Sequence, residues 1–142
     1  MRSLLLAVAL VFAPALAEAS TPDTAVAAFL DAFRSMDEAR FDTFFAPEVS
    51  MFFPDSRFPQ GRVDGKDAVL AAFHSFFERV GESGTNSLTI VPVEQNIQYY
   101  GEVAIVTFRL ESDDRIGRRS IVFRRMADDW LIVHFHASAI EK

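Results

Sequence analysis

The chain has no cysteine, which excludes disulfides, thiolate metal sites and a cysteine nucleophile. Tyr and Trp are scarce, two and one against 15 Phe. The aromatic mass therefore has almost no polar tips, and an interior built from it can be greasy throughout. Basic residues are outnumbered, 14 Lys and Arg against 20 Asp and Glu, for a net charge of −6. That balance argues against nucleic acid and anionic membranes as partners, because both reward Lys/Arg patches. The pairs Arg118-Arg119 and Arg124-Arg125 are local exceptions and read as a solvated strand edge. No Gly-rich phosphate loop and no nucleophile-elbow spacing is present. Beyond the first residues no apolar run is long enough for a membrane span.

What is present suits one domain: 142 residues, half of them hydrophobic. Residues 1–17 carry Arg2, an apolar run from Leu4 to Phe12, and Ala15-Leu16-Ala17. This is the order of charge, hydrophobic stretch and small-x-small site of a secretory signal, with a second cleavage site possible after Ala19. An exported protein, periplasmic or secreted and free of the membrane after cleavage, is expected, with its folded domain over 20–142.

Helices come first. Thr21-Pro22-Asp23 is a cap followed by Pro at the first helical position. Val26, Phe29, Leu30 and Phe33 then form one apolar face. Asp37 can cap a short second helix with Phe41, Phe44 and Phe45, ended by Pro47. Val49–Phe53 reads as a strand, and Pro54, Pro59 and Gly61 as a loop. A third helix is predicted from Gly65 to about Val80, with stripe Val69, Phe73, Phe76 and Val80 and Gly81 as its stop. Leu88–Val93, Gln95–Tyr100, Val103–Glu111, Ile116–Met126 and Trp130–Ile140 read as strands joined by short turns. Pro92 marks a bulge or an edge. Helices followed by an antiparallel meander is an α+β layout. A strongly bent sheet wrapped on three helices leaves a cavity at its open end.

Three segments carry a resemblance. Gly65-Lys66-Asp67-Ala68-Val69 resembles the opening of the third helix in SnoaL-like (nuclear transport factor 2-like) proteins. Tyr100–Leu110 resembles their central hairpin. Trp130-Leu131-Ile132-Val133-His134-Phe135-His136-Ala137-Ser138 is similar to the last strand of calcium/calmodulin-dependent kinase association domains. The resemblance implies a cone-shaped fold, an oligomer and an internal pocket. It places Arg109 and Ala137 on the pocket side, where Val133 and Phe135 share the parity of Ala137; Phe52 and Phe123 complete the expected lining. The family's other pocket arginines fall on Ile121 and Ala137 and its histidine on Val69, so the expected pocket is less cationic and more apolar.

Of the candidate chemistry, His134-x-His136 could offer two imidazoles on one strand face. Zinc wants three or four ligands, and the only other histidine is His74. No metal is expected; the pair reads as structural or as a pH-sensitive element. Trp130 and Ile132 share its face, and Trp130, Ile132, His134 and His136 are together expected to meet a second subunit, since apolar groups on both faces of a strand need cover on both. Arg109 is expected to orient a ligand, or else to pair with a carboxylate such as Glu111 or Asp55, or to lie exposed. Two function classes remain open. One is a module binding a small, largely apolar molecule as a homo-oligomer. The other is a cofactor-independent isomerase, cyclase or hydrolase. A shielded carboxylate or histidine in the cavity would favour the second.

Overall fold

The computed structural model describes residues 20–142, and the segment read as an export signal lies outside the described residues. Helix α1 (Pro22–Ser35) starts where the Thr-Pro pair predicts. The Thr21 hydroxyl accepts the Thr24 N–H at 3.2 Å and the Thr24 hydroxyl accepts the Thr21 N–H at 2.9 Å, which satisfies two donors that a helix start leaves free. Val26, Phe29 and Leu30 are buried and Phe33 packs beside them.

Asp37 caps α2 (Glu38–Phe41), and a 3₁₀ turn over Asp42–Phe44 follows. Phe45 then opens strand β1 (Phe45–Phe52) instead of extending the helix as expected. The tightened turn brings the rings of Phe41 and Phe45 together, tilted at 59° with centroids 5.0 Å apart, and buries both. Pro47 thus lies inside β1, in the stretch where its pairing with the last strand is irregular and no ladder N–H is required. After β2 (Val63–Asp64), helix α3 (Lys66–Glu82) begins behind Gly65 at φ 90° and runs past Gly81, slightly longer than predicted. Its buried face is Val69, Leu70, Phe73 and Phe77, rotated from the predicted stripe because Phe73 and Phe77 turn toward Phe41.

The sheet adds β3 (Pro92–Tyr100), β4 (Val103–Glu111), β5 (Arg115–Met126) and β6 (Asp129–Glu141), in the order β2-β1-β6-β5-β4-β3. It is curved and unclosed, with the three helices against its concave face. β3 to β6 form the predicted antiparallel meander, while β1 joins β6 in parallel. Of the two strands expected over Leu88–Val93 and Gln95–Tyr100, Leu88–Val91 forms no strand, and Pro92–Tyr100 forms one edge strand, bulged where Glu94 takes φ 54°.

A second bulge matters more. Val122 pairs with His134 and Phe123 with Ile132, so Val133 is an extra residue on β6. One extra residue reverses the alternation of faces. Trp130 and Ile132 before it, and Phe135 and Ala137 after it, therefore all face the core.

Candidate functional site

A cavity in two parts lies among the helices, the segment after β1 and the concave face of the sheet. The inner part, about 190 Å³, is apolar, with Phe33, Phe58, Phe73, Phe76, Leu110 and Phe135 in its wall. The outer part, about 290 Å³, is polar and takes in Asp55, Arg115 and Gly117. Arg57, Thr89, Leu110 and Arg119 border both. The segment after β1 roofs the inner chamber: Phe53 and Phe58 stack at 4.6 Å, Phe58 meets Phe76 at 5.4 Å, and Arg79 donates to the Arg57 carbonyl at 3.2 Å.

β5 supplies the cations. Its concave-face residues are Arg115, Gly117, Arg119, Ile121 and Phe123, and the last two are fully buried. Arg119 lies opposite Phe108 on β4 and Ala137 on β6. It is half-buried, and its Nη1 donates to the carbonyls of Arg118 at 2.9 Å and Ser138 at 3.0 Å. Nε and Nη2 have no hydrogen-bond partner among the described residues, and Arg119 forms no ion pair among them. Burial pushes its guanidinium down to about 10, partly offset by the field of Asp55. Asp55 itself is committed elsewhere. Arg57 Nε lies 3.0 Å and 3.2 Å from its two oxygens, and Arg115 Nη1 is 3.5 Å away. The Arg57 hydrogen bonds hold its carboxyl below the usual range despite its burial.

The predicted lining is corrected at several positions. Phe135 and Ala137 do border the inner chamber. Arg109 does not: Ala104, Val106 and Phe108 occupy the buried face of β4, which sends Arg109 to the convex face. There Nη2 meets Glu94 at 3.0 Å and Glu111 at 3.1 Å, so the anticipated carboxylate pairing is what the fold uses. Phe52 is also convex, its ring against His134 and His136, and its neighbour Phe53 takes the pocket wall. Phe123 is buried in the core away from the cavity, and Val133 is the bulged residue. Neither contributes to the lining.

Trp130 and Ile132, expected at a subunit interface, are 8% and 0% exposed in the single chain. The bulge turns them inward, and the Trp130 indole donates to the Ser20 carbonyl at 3.1 Å. His134 and His136 remain on the convex face. His134 Nδ1 shares a hydrogen bond with the Ser50 hydroxyl at 2.9 Å, while His136 is exposed. Among the described residues no group of three His, Asp or Glu is placed to hold a metal. The residue missed in the sequence is Arg119. Its signal was the alternation Gly117, Arg119, Ile121, Phe123 against Arg118, Ser120, Val122, Arg124, which puts it on the apolar face.

No curated protein matches the chain. Solved structures do. A candidate dehydratase of the nuclear transport factor 2-like family from Streptomyces avermitilis is 21% identical with a TM-score of 0.67, over 84% of this chain and 99% of that one. A candidate ketosteroid isomerase from Parabacteroides distasonis is 17% identical with a TM-score of 0.65, over 85% and 89%. A candidate calcium/calmodulin-dependent protein kinase type II association domain from Thiobacillus denitrificans is 28% identical with a TM-score of 0.61, over 84% and 95%. The family model of the SnoaL-like domain matches residues 23–141, nearly the whole described fold, and the chain belongs to the SnoaL-like domain family.

Proposed function

We propose that this protein is an exported binding module for a small molecule with an apolar body and one acidic end, acting as a homo-oligomer. The observation that carries the reading is Arg119. A half-buried cation without a carboxylate partner stands at the boundary between an apolar chamber and a polar one. A guanidinium taken out of water is unfavourable unless paired, and a ligand carboxylate would pair it with a directed, charge-assisted bond. The apolar body would fill the inner chamber, displacing water from its phenylalanine wall.

An isomerase or dehydratase reading, suggested by the names of two structural relatives, has less support. The titratable side chains bordering the inner chamber are Arg57 and Arg119. A carboxylate held below its usual range by Arg57, as Asp55 is, is a weak base for abstracting a proton. The His74–Asp42 pair, 2.8 Å apart, borders neither chamber.

The test is calorimetric titration with phenylacetate and hexanoate, against 2-phenylethanol as a neutral control. Wild type should bind the acids in preference to the alcohol, and Arg119→Met should lose at least about tenfold in affinity for them. Equal binding of acid and alcohol, or unchanged acid binding by Arg119→Met, would overturn the reading. Export would be checked by the N-terminus of the mature protein, which should be Glu18 or Ser20.

A further inference from the structure

Arg119 does not point by chance. On the concave face of β5 it is preceded at the same parity by Gly117, and its guanidinium folds back over that glycine. A Cβ at position 117 would lie 2.9 Å from Nη1, 3.1 Å from Nη2 and 3.3 Å from Cζ. The Gly117 backbone cannot give way, because it is paired with Leu110 on one side and Ala139 on the other. Nor does it need the conformational freedom of glycine: positive φ is confined to Gly65, Gly84 and Gly101 among the described glycines. The missing side chain serves space alone, and the space is taken by the guanidinium.

That seat decides which edge of the guanidinium is free. Seated over Gly117, Nη1 reaches the carbonyls of Arg118 and Ser138 on adjacent strands. With Nη1 so occupied, Nε and Nη2 remain as a parallel pair of donors, the fork that matches the two oxygens of a planar carboxylate. The geometry points to Gly117 as a positioning residue that presents the Nε/Nη2 edge of Arg119 and so sets the cavity's preference for a carboxylate over a neutral oxygen ligand. This rests on the reading that an acid binds at Arg119.

The experiment compares wild type, Gly117→Ala and Arg119→Met in titrations with phenylacetate and 2-phenylethanol. It adds thermal melts of each and a ligand-free crystal structure of Gly117→Ala. A methyl group at position 117 meets only the far end of a flexible side chain, so Gly117→Ala should melt cooperatively near the wild-type temperature. It should bind phenylacetate at least about tenfold more weakly, leave 2-phenylethanol unchanged, and show the Nη1 bonds to Arg118 and Ser138 broken. If Gly117→Ala binds phenylacetate as wild type does while Arg119→Met does not, the positioning role is overturned and the acid-binding reading stands. If wild type does not prefer phenylacetate, or Arg119→Met binds it unchanged, the reading falls and the inference with it. A Gly117→Ala chain without a cooperative melt, or one whose guanidinium stays in place, overturns the positioning role directly.

Discussion

Two titratable side chains on opposite faces of the sheet show how position changes what a residue does. Arg119 on the concave face stays charged at neutral pH even with its guanidinium pushed down to about 10, so it can serve as a fixed cation for an acid. His134 on the convex face has its titration lowered, first by burial and then by the positive fields of His136 and Arg62. The unfolded chain therefore takes up a proton at position 134 at higher pH than the folded chain does. Stability follows the difference in bound protons. It is fully present above the ordinary histidine range near 6.5, and it is lost as pH falls from there toward the lower folded value. Melting temperature should fall as pH drops through this window. His134→Asn, which can still bond Ser50, should flatten the profile. Identical profiles for the two proteins between pH 5 and 8 would show that His134 is not the group responsible.

At the scale of elements, helix starts and the apolar stripe of α1 were legible because their causes are local, whereas the buried face of α3 was rotated by its packing on Phe41. A Thr-Pro cap and a 3.6-residue period act within one turn of chain, and α1 and α3 form where those signals lie. The strand faces of β6 were not legible. Reading Trp130–Ile140 at a strict period of two puts Trp130 and Ile132 opposite Phe135, whereas the bulge at Val133 puts all three on the core side. A bulge adds a residue without changing composition, and its effect appears only in the partner strand's register. Deleting Val133 should accordingly be worse than truncating any one core side chain. Restoring strict alternation must turn either Trp130 and Ile132 or Phe135 and Ala137 toward solvent. The deletion variant should show no cooperative urea transition, in contrast to Phe41→Ala, which should cost about 3–5 kcal/mol yet still unfold cooperatively. A deletion variant with a wild-type midpoint would mean that β6 holds its faces by other means.

For the whole molecule, the convex face of the sheet carries the proposed oligomer. The inward turn of Trp130 and Ile132 removes two of the residues first expected there, but the face keeps His134, His136, Phe52, Ile105, Val122 and Leu131, half-buried or exposed and without helical cover. An apolar sheet face of this kind is stabilised by a second copy. Light scattering at micromolar concentration should report a dimer or larger. Ile105→Glu, which places a charge between Gln98 and Val122, should yield a monomer with an unchanged far-ultraviolet spectrum. A wild-type monomer, or an Ile105→Glu protein of unchanged size, would remove this surface from consideration.

Sequence alone determined the α+β class, the helix starts, the meander of the last four strands, and the family to which residues 23–141 belong. The class, the helix starts and the meander follow from local propensity and from the periodicity of apolar residues, which act before any long-range contact forms; the family follows from the likeness of the chain's ordered segments to those of its members. Tertiary structure decided which arginine stands at the cavity. Arg109 and Arg119 both lie within strands beside apolar neighbours; the alternation along β5 puts Arg119 on its more apolar face, but which arginine borders a cavity is fixed only when the helices pack against the sheet. The packing of Val106, Phe108, Ile121 and Phe123 into the phenylalanine core made that choice. It sent Arg109 out to Glu94 and Glu111, and it brought Arg119 in over Gly117, where only a residue without a side chain leaves room for it.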